Sequence, residues 1–326
     1  MFNYAHGKAL WYVGPMQAEL REESVRPPLA DEQRLIMLAS ALSRGTERLI
    51  ASGLVPPAEH ERMACPHMSG EFPFPVKYGY CAVARVENGP EHLAGRRVFV
   101  LHPHQDVFNA KTAMLNLIPG HIPTSRATLA ANMETALNAI WDSKMSAADR
   151  VTVVGGGLVG LLVTFLAARF PGADVTLVDV NPARSALATM FGARFVHPDE
   201  APKDQDVVFH TSATQPGLAT AIHAAAKNGT VVELSWYGEK PLHVPLGGHF
   251  HAGRVKLISS QVGTVSPDHA SRGWGYSSRL QAALRLLDDE RLDALLTETL
   301  PFPALPDAIP RLLAPDAKGL VTVVTY

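Results

Sequence analysis

The sequence has only two cysteines, Cys65 and Cys81, in 326 residues. Two thiols make no disulfide framework, and a reducing cytoplasm is the default expectation. No run of eighteen apolar residues occurs, so no membrane-spanning helix is expected. Neither sign of charge is in large excess: the net charge is −2, which draws the chain towards neither nucleic acid nor an anionic membrane. The opening stretch "MFNYAHGKALWYVG" lacks a basic start, an apolar core and a small-residue cleavage site, so no secretory signal is read. Internal repeats and low-complexity segments are absent too. What is present is a 47% hydrophobic share, enough for a sizeable core, in a chain long enough for two domains or one large one. The expected partner is a small-molecule substrate.

Two textures divide the chain. From about residue 150 to 262, β-type runs alternate with helical runs. "VTVVGG" (151–156) precedes "LVGLLVTFLAARF", and "DVTLVDV" (174–180) precedes "PARSALATMF". "RFVHP" is a short third run, and "DVVFHTS" (206–212) precedes "PGLATAIHAAAKN". "TVVELSW" (230–236) and "VKLISSQV" (255–262) complete the series. Near-continuous apolar strands alternating with helices predict an α/β fold, with a parallel sheet covered on both faces. Six strands match a doubly wound dinucleotide-binding domain. The first 120 residues differ. "KALWYVG", "RLIMLAS", "CAVARVE" and "RRVFVLH" are short runs between Pro- and Gly-rich loops, which reads as an antiparallel β domain. Its loop from Pro56 to Pro75 is long, a mark of function or mobility. The tail, with a helix in "RLQAALRLLDDERL", the run "LLTETL", a helix around "DAIPRLLA" and a last strand "LVTVVTY", is expected to pack back on this domain.

The segment "VTVVGGGLVGLL" holds Gly155-x-Gly157-x-x-Gly160 between a strand and a helix. Gly155 allows the tight turn, Gly157 the approach of a pyrophosphate, and Gly160 close helix–sheet packing. The helix start, with Leu158 and Val159, offers unpaired N–H groups and a positive dipole end. Asp179 ends the next strand nineteen residues after Gly160, where a carboxylate meets the adenosine ribose hydroxyls. Its charge would repel a 2′-phosphate, which favours NAD over NADP, although Arg184 nearby could accommodate one. The bland alternative is a glycine-rich turn with no ligand.

With its β-rich first part, central fingerprint and returning tail, the chain resembles the medium-chain dehydrogenase/reductase superfamily over nearly its whole length. "ETALNAIWDSKMSAADRVTVVGGGLVGLL" is similar to that family's helix-then-strand approach to the cofactor domain. The resemblance implies a GroES-like β domain from both chain ends (1–123 and 270–326) beside a Rossmann domain (124–269), with reaction in the interdomain cleft. It also implies a homodimer through the last Rossmann strand, here "VKLISSQV". Most alcohol dehydrogenases of the family hold a catalytic zinc with cysteine and histidine ligands. In "SALSRGTE", Ser43 stands where the family places its first cysteine. In "VKYGYCAVARV", Gly79 matches the glycine of the family's Gly-His-Glu motif, while Tyr80 and Cys81 replace the other two residues. No clustered four-cysteine lobe exists for a structural zinc. The chain therefore resembles a zinc-free branch, and its Ser-x-Gly-Thr-Glu-Arg-Leu pattern resembles the dehydrogenase of the bacteriochlorophyllide hydroxyethyl group and its uncharacterised relatives.

Carbonyl–alcohol hydride transfer needs a group to polarise the oxygen and a group to move a proton. Without a metal, hydrogen-bond donors must serve. Thr46 matches the family's proton-passing hydroxyl, so Tyr80 and Thr46 are expected to hold the substrate oxygen, with Ser43 in support. The alternative is that tyrosine and serine fill vacated space, and that Thr46 caps the following helix. Thr135, in "ETALNA", matches the family threonine beside the nicotinamide; otherwise it bonds its own helix backbone. Thr211, Ser212 and Ser235 end the fourth and fifth strands, where carboxyl ends line the cofactor crevice. Trp236 and Tyr237 wall a substrate pocket or are plain packing. Arg272 and Trp274 cap the cleft or belong to a hinge. Fourteen histidines include the pairs His102/His104 and His249/His251; on strands, each pair would share one face and could pinch a metal, but no third ligand has obvious spacing.

The leading expectation is a zinc-independent, NAD-dependent oxidoreductase of an alcohol or carbonyl. Two alternatives stay open. One is an NAD(P)H-dependent reductase of a conjugated double bond, against which Asp179 argues. The other is a non-catalytic NAD-binding sensor or partner protein.

Overall fold

The computed structural model describes residues 4–238 and 241–326. The chain forms two compact units, Met1–Ala131 with Leu280–Tyr326, and Asn132–Arg279. The divisions at 131/132 and 279/280 fall within the helices Ala130–Ser143 and Tyr276–Leu286, where the sequence-based bounds lay at 123/124 and 269/270. Among the described residues, no helix is long and apolar enough to cross a membrane.

The unit Asn132–Arg279 holds a six-stranded sheet. Its strands in chain order are Arg150–Val154, Asp174–Val178, Arg194–Val196, Gln205–His210, Ala225–Glu233 and Lys256–Ser259. They lie in the order third, second, first, fourth, fifth, sixth, all parallel, which is the doubly wound arrangement expected. The first strand is central, with Val151 opposite Val175 on one side and Val207 on the other. Val151, Val153, Leu177, Val208 and Phe209 are all buried, which is why these strands read as continuous apolar runs. The helices Leu158–Ala167, Ser185–Phe191 and Gln215–Ala224 follow the first, second and fourth strands.

One boundary departs from the sequence reading. The helix expected to run through "AAAKN" ends at Ala224, and Ala225 already pairs with Gln205 in the sheet. Asn228 has a positive φ of 63°, and Gly229 leaves no room for a Cβ, with Ala226 N and Gln205 O both 2.9 Å from that position. Strand pairing and this irregular turn override the helix propensity of the alanines. The sixth strand is also shorter than its apolar run and leaves Lys256, Leu257 and Ser259 exposed at the sheet edge.

In the other unit, the strand Glu32–Ala41 is the hub. It pairs antiparallel with Ala82–Asn88, Val107–Lys111 and the C-terminal Val321–Thr325. That last strand also pairs in parallel with Leu296–Pro301, so the tail does pack back on the β-rich part. A smaller sheet contains Gln17–Val25, Ala5–Gly14, Val76–Lys77 and Ser69–Gly70. Leu10, Tyr12, Leu42, Ile50, Phe302, Ile309 and Val324 share one core, joining residues from both ends of the chain.

A buried arginine ends the nucleotide-fold unit. Arg279 is 1% exposed, and its Nε donates to Glu134 Oε1 at 2.9 Å. Its other nitrogens reach Asn138 Oδ1 and the carbonyls of Thr264 and Val262. Burial pushes the Glu134 carboxyl up, and Arg279 pulls it back. Arg279→Met should therefore leave a buried carboxylate uncompensated and cost about 3–5 kcal/mol. Urea denaturation of the full chain measures this; a loss within about 0.5 kcal/mol would show that the pair does not hold the helix Ala130–Ser143 to the 262–264 turn.

Candidate functional site

Two constellations bear chemistry, one in each unit. In the nucleotide-fold unit, the glycine turn follows the first strand. Gly155 has φ 112°, and a Cβ there would meet Ser212 N at 2.7 Å. A Cβ on Gly160 would lie 1.9 Å from Gly155 O, so glycine is required for the helix Leu158–Ala167 to start so close to the turn. Among the described residues, nothing lies within 4 Å of a Cβ position on Gly157, the N-cap of that helix. The turn is thus tight on its protein side and open at the helix start, with the Leu158 and Val159 amides in the first turn. This is the cradle a pyrophosphate requires, and the residues present fit a dinucleotide.

Asp179 follows the second strand. Its Oδ2 accepts the Gly156 N–H at 2.5 Å and its Oδ1 accepts the Asn181 N–H at 2.7 Å. Two backbone donors fix the carboxylate beside the turn. Arg184 lies against the same spot, its Cγ 3.0 Å from a Cβ position on Gly156. Burial lowers the Arg184 guanidinium from its ordinary value, and Asp179 opposes that. Thr211 Oγ1 donates to Gly155 O at 2.8 Å, fastening the fourth strand to the turn. Ser212 Oγ lies 2.7 Å from His210 Nε2, and Ser235 Oγ accepts the Ala213 N–H at 3.0 Å. Thr135 is half-buried on the helix Ala130–Ser143. Tyr237 hydrogen-bonds Glu233 at 3.2 Å, while Trp236 is 40% exposed. Trp274 packs edge-on against Trp141, which stacks on His269 at 3.9 Å; Arg272 is exposed.

In the β-rich unit, Ser43, Thr46 and Tyr80 come together. Tyr80 OH donates to Ser43 Oγ and contacts Thr46 Oγ1 at 3.2 Å. The segment that carries Ser43 and Thr46 leaves the strand Glu32–Ala41 and becomes the helix Arg44–Ala51. Ser43 is its N-cap, and Thr46 lies inside it, so the reading of Thr46 as a helix cap is corrected. The cap function falls to Glu47, whose Oε1 accepts the Ser43 N–H at 2.8 Å. Burial raises the Tyr80 phenol above its ordinary value, with Cys81 adding to the shift and the Ser43 and Thr46 bonds opposing it. At neutral pH, Tyr80 is therefore a protonated hydrogen-bond donor, not a phenolate base.

Behind this cluster lies a network that sequence reasoning missed. Glu47 is 0% exposed. Its Oε2 accepts Tyr12 OH at 2.8 Å and lies 3.0 Å from His104 Nε2. His104 Nδ1 meets Ser40 Oγ at 2.7 Å, and Ser40 Oγ meets Tyr326 OH at 2.9 Å. Assigning donors back from the carboxylate gives one consistent order: Tyr326 donates to Ser40, Ser40 to His104, and His104 to Glu47. Glutamate four residues after the N-cap serine was the available signal, close to a capping-box spacing.

The histidine pairs do not assemble. His104 spends both ring nitrogens on Ser40 and Glu47, while His102 bonds Pro103 O at 2.9 Å and stacks on Phe108 at 3.7 Å. The second pair sits on the helix His249–Ala252, not on a strand, so i and i+2 point to different faces. His249 bonds Ala225 O at 2.7 Å. Among the described residues, no group of three or more His, Cys, Asp or Glu side chains is arranged to hold a metal ion. The hydrogen-bonded hydroxyls of Ser43 and Tyr80 also lack the soft donor character a zinc centre uses, so the residues at this position do not fit a zinc.

Comparison with known proteins agrees with the architecture. Residues 127–232 match the model of a family described as alanine dehydrogenase/PNT, C-terminal domain. A 2-dehydro-3-deoxy-L-galactonate 5-dehydrogenase of Pseudoalteromonas atlantica is 24% identical over 148 residues, which is 42% of this chain and 43% of that protein. The similarity thus spans less than half the length of that curated relative. The crystal structure of L-idonate 5-dehydrogenase from Escherichia coli superposes with a TM-score of 0.81 at 13% identity, covering 99% of both chains. A short chain alcohol dehydrogenase (rspB) of Escherichia coli, complexed with NADH, superposes with a TM-score of 0.79 at 15% identity, covering 99% of this chain and 100% of that one. The fold is the one shared by these dehydrogenase structures.

Asp179→Asn keeps an acceptor for the turn but removes the negative charge. It should weaken NADH, strengthen NADPH, and narrow the ratio of their dissociation constants at least about tenfold, because a like-charge clash with a 2′-phosphate disappears. Fluorescence titration with both dinucleotides measures it, and an unchanged ratio removes Asp179 from cofactor choice.

Proposed function

We propose that this protein is an NAD(H)-dependent oxidoreductase that interconverts an alcohol and a carbonyl without zinc. The observation that carries the reading is the hydroxyl cluster of Tyr80, Ser43 and Thr46, whose Ser43 and Tyr80 the family resemblance matches to metal-ligand positions, in a chain that also builds a dinucleotide cradle. A bound nicotinamide dinucleotide supplies or accepts the hydride. The chain's own groups do the rest. Tyr80 turns its phenol O–H from Ser43 to the substrate oxygen and protonates it as hydride reaches the carbonyl carbon; Ser43 and Thr46 then hydrogen-bond the phenolate left behind and relay a proton to it from water, the reverse order serving oxidation. Burial that keeps Tyr80 protonated suits it to polarise a carbonyl.

NAD is favoured over NADP by the fixed Asp179 carboxylate. A polyol or sugar-acid substrate is favoured by the names of the proteins this chain resembles, a 2-dehydro-3-deoxy-L-galactonate 5-dehydrogenase and an L-idonate 5-dehydrogenase. The exposed edge strand Lys256–Ser259 supports the expected homodimer, since edge strands with free backbone groups invite pairing with a second copy.

Tyr80→Phe should lower turnover at least about tenfold with NADH affinity unchanged. Steady-state kinetics on a polyol and sugar-acid panel, alongside NADH titration, measures both. An unaffected rate takes Tyr80 out of the mechanism. Elemental analysis of untagged protein checks the metal: near-stoichiometric zinc in the active protein overturns the zinc-free reading.

A further inference from the structure

A second polar cluster lies at the carboxyl ends of the fourth and fifth strands of the parallel sheet, where the apolar runs "DVVFH" and "TVVE" each end on a titratable residue. His210 is 0% exposed. Its Nδ1 lies 2.9 and 2.8 Å from the two oxygens of Glu233. Its Nε2 lies 2.7 Å from Ser212 Oγ. Glu233 is also held from two other sides, by the Ser235 N–H at 2.7 Å and by Tyr237 OH at 3.2 Å. A carboxylate can only accept, so in the neutral imidazole the His210 proton sits on Nδ1 and Nε2 is an acceptor. Ser212 must then donate to His210. Thr214 Oγ1, 2.9 Å away, donates to Ser212 in turn, and itself accepts the Gly217 N–H at 3.1 Å. In this arrangement, among the described residues, one lone pair of Ser212 is left for an outside donor.

The position of this hydroxyl gives it a use. The Ser212 backbone abuts the glycine turn, its N only 2.7 Å from a Cβ position on Gly155. The next residue, Ala213, has φ 52°, a conformation that L-residues rarely adopt, and is held there by Ser235. The doubly wound sheet is two mononucleotide-binding halves. Asp179, after the second strand, marks the adenosine half; Ser212, after the fourth, lies in the other.

We infer that the Glu233–His210 pair is a positioning device for the nicotinamide half of a bound dinucleotide: it orients Ser212 as a hydrogen-bond acceptor for a ribose hydroxyl or the carboxamide N–H₂. Ser212 makes the contact; His210 and Glu233 act through it. The inference rests on the dinucleotide-binding reading and deepens it.

His210→Asn separates this role from structural support. An asparagine amide can replace the Nδ1–H bond to Glu233 but offers no acceptor where Nε2 meets Ser212. Ser212→Ala removes the contact itself and leaves the pair intact. Each variant, as the full chain with an unchanged thermal unfolding midpoint, should raise the NADH dissociation constant about fivefold or more, the effect of one lost hydrogen bond. Binding of 5′-AMP, which reaches only the adenosine half, should stay as in the wild type. NADH bound equally by wild type and Ser212→Ala overturns the inference, as does an equal loss of AMP affinity, which would mark a general loosening of the turn. Wild-type protein that binds neither ligand overturns the dinucleotide reading and this inference with it. Wild-type protein that binds both, with variants indifferent, overturns the inference alone.

Discussion

The buried carboxylate of Glu47 is the constraint on which the candidate chemistry in the β-rich unit depends. It takes hydrogen bonds from Tyr12, from the backbone of Ser43 and from His104. Each donor comes from a different part of the chain: an early strand, the start of the helix Arg44–Ala51, and the loop after the strand Arg97–Val100. A carboxylate with no exposure must be fully hydrogen-bonded to stay in place, and satisfying it fixes all three segments at once. Ser43 is held through its backbone, which leaves its hydroxyl available to Tyr80. The network runs on through Ser40 to Tyr326, the last residue of the chain, so the two chain ends are joined by polar bonds as well as by the shared apolar core.

The nucleotide-fold unit uses the same economy in another form. There the turn after the first strand is stripped of side chains, and neighbouring strands press against it: Thr211 bonds its carbonyl, the Ser212 backbone fills the space beside Gly155, and the Asp179 carboxylate takes the Gly156 N–H. Close backbone approach of this kind is possible only with glycine at 155 and 160. The same compactness leaves the helix start open at Gly157, on the side a phosphate would use.

Much of this was legible in the residues. The alternation of apolar runs with helical runs pointed to a parallel, doubly wound sheet, because strands buried on both faces leave continuous signals. The turn glycines and Asp179 were legible because backbone sterics and charge restrict what can stand there. Ser43, Thr46 and Tyr80 could be grouped from a family likeness, and the fold does bring their hydroxyls into contact. Other features left weaker traces. The capping assignment at Thr46 failed because the helix starts earlier, at Arg44, with Ser43 as its N-cap. The alanines of "AAAKN" read as helix because local propensity knows nothing of the pairing partner at Gln205. The histidine pair at 249 and 251 suggested one face only under the assumption of a strand, and the helix there separates the two rings.

By itself, then, the sequence determined what local rules can determine: the alternation of elements, the positions where only glycine fits, and the charge that stands after the second strand. These depend on near neighbours along the chain. The tertiary structure alone decided which polar groups meet. Glu47 and His104 are 57 residues apart, and Ser40 and Tyr326 are 286 apart. His210 and Glu233 meet only because two parallel strands lie in register, His210 opposite Glu233. No periodicity announces such a pair, since each member is a single polar residue at the end of an apolar run. Only pairing in space turns two isolated ends into one charge-assisted hydrogen bond.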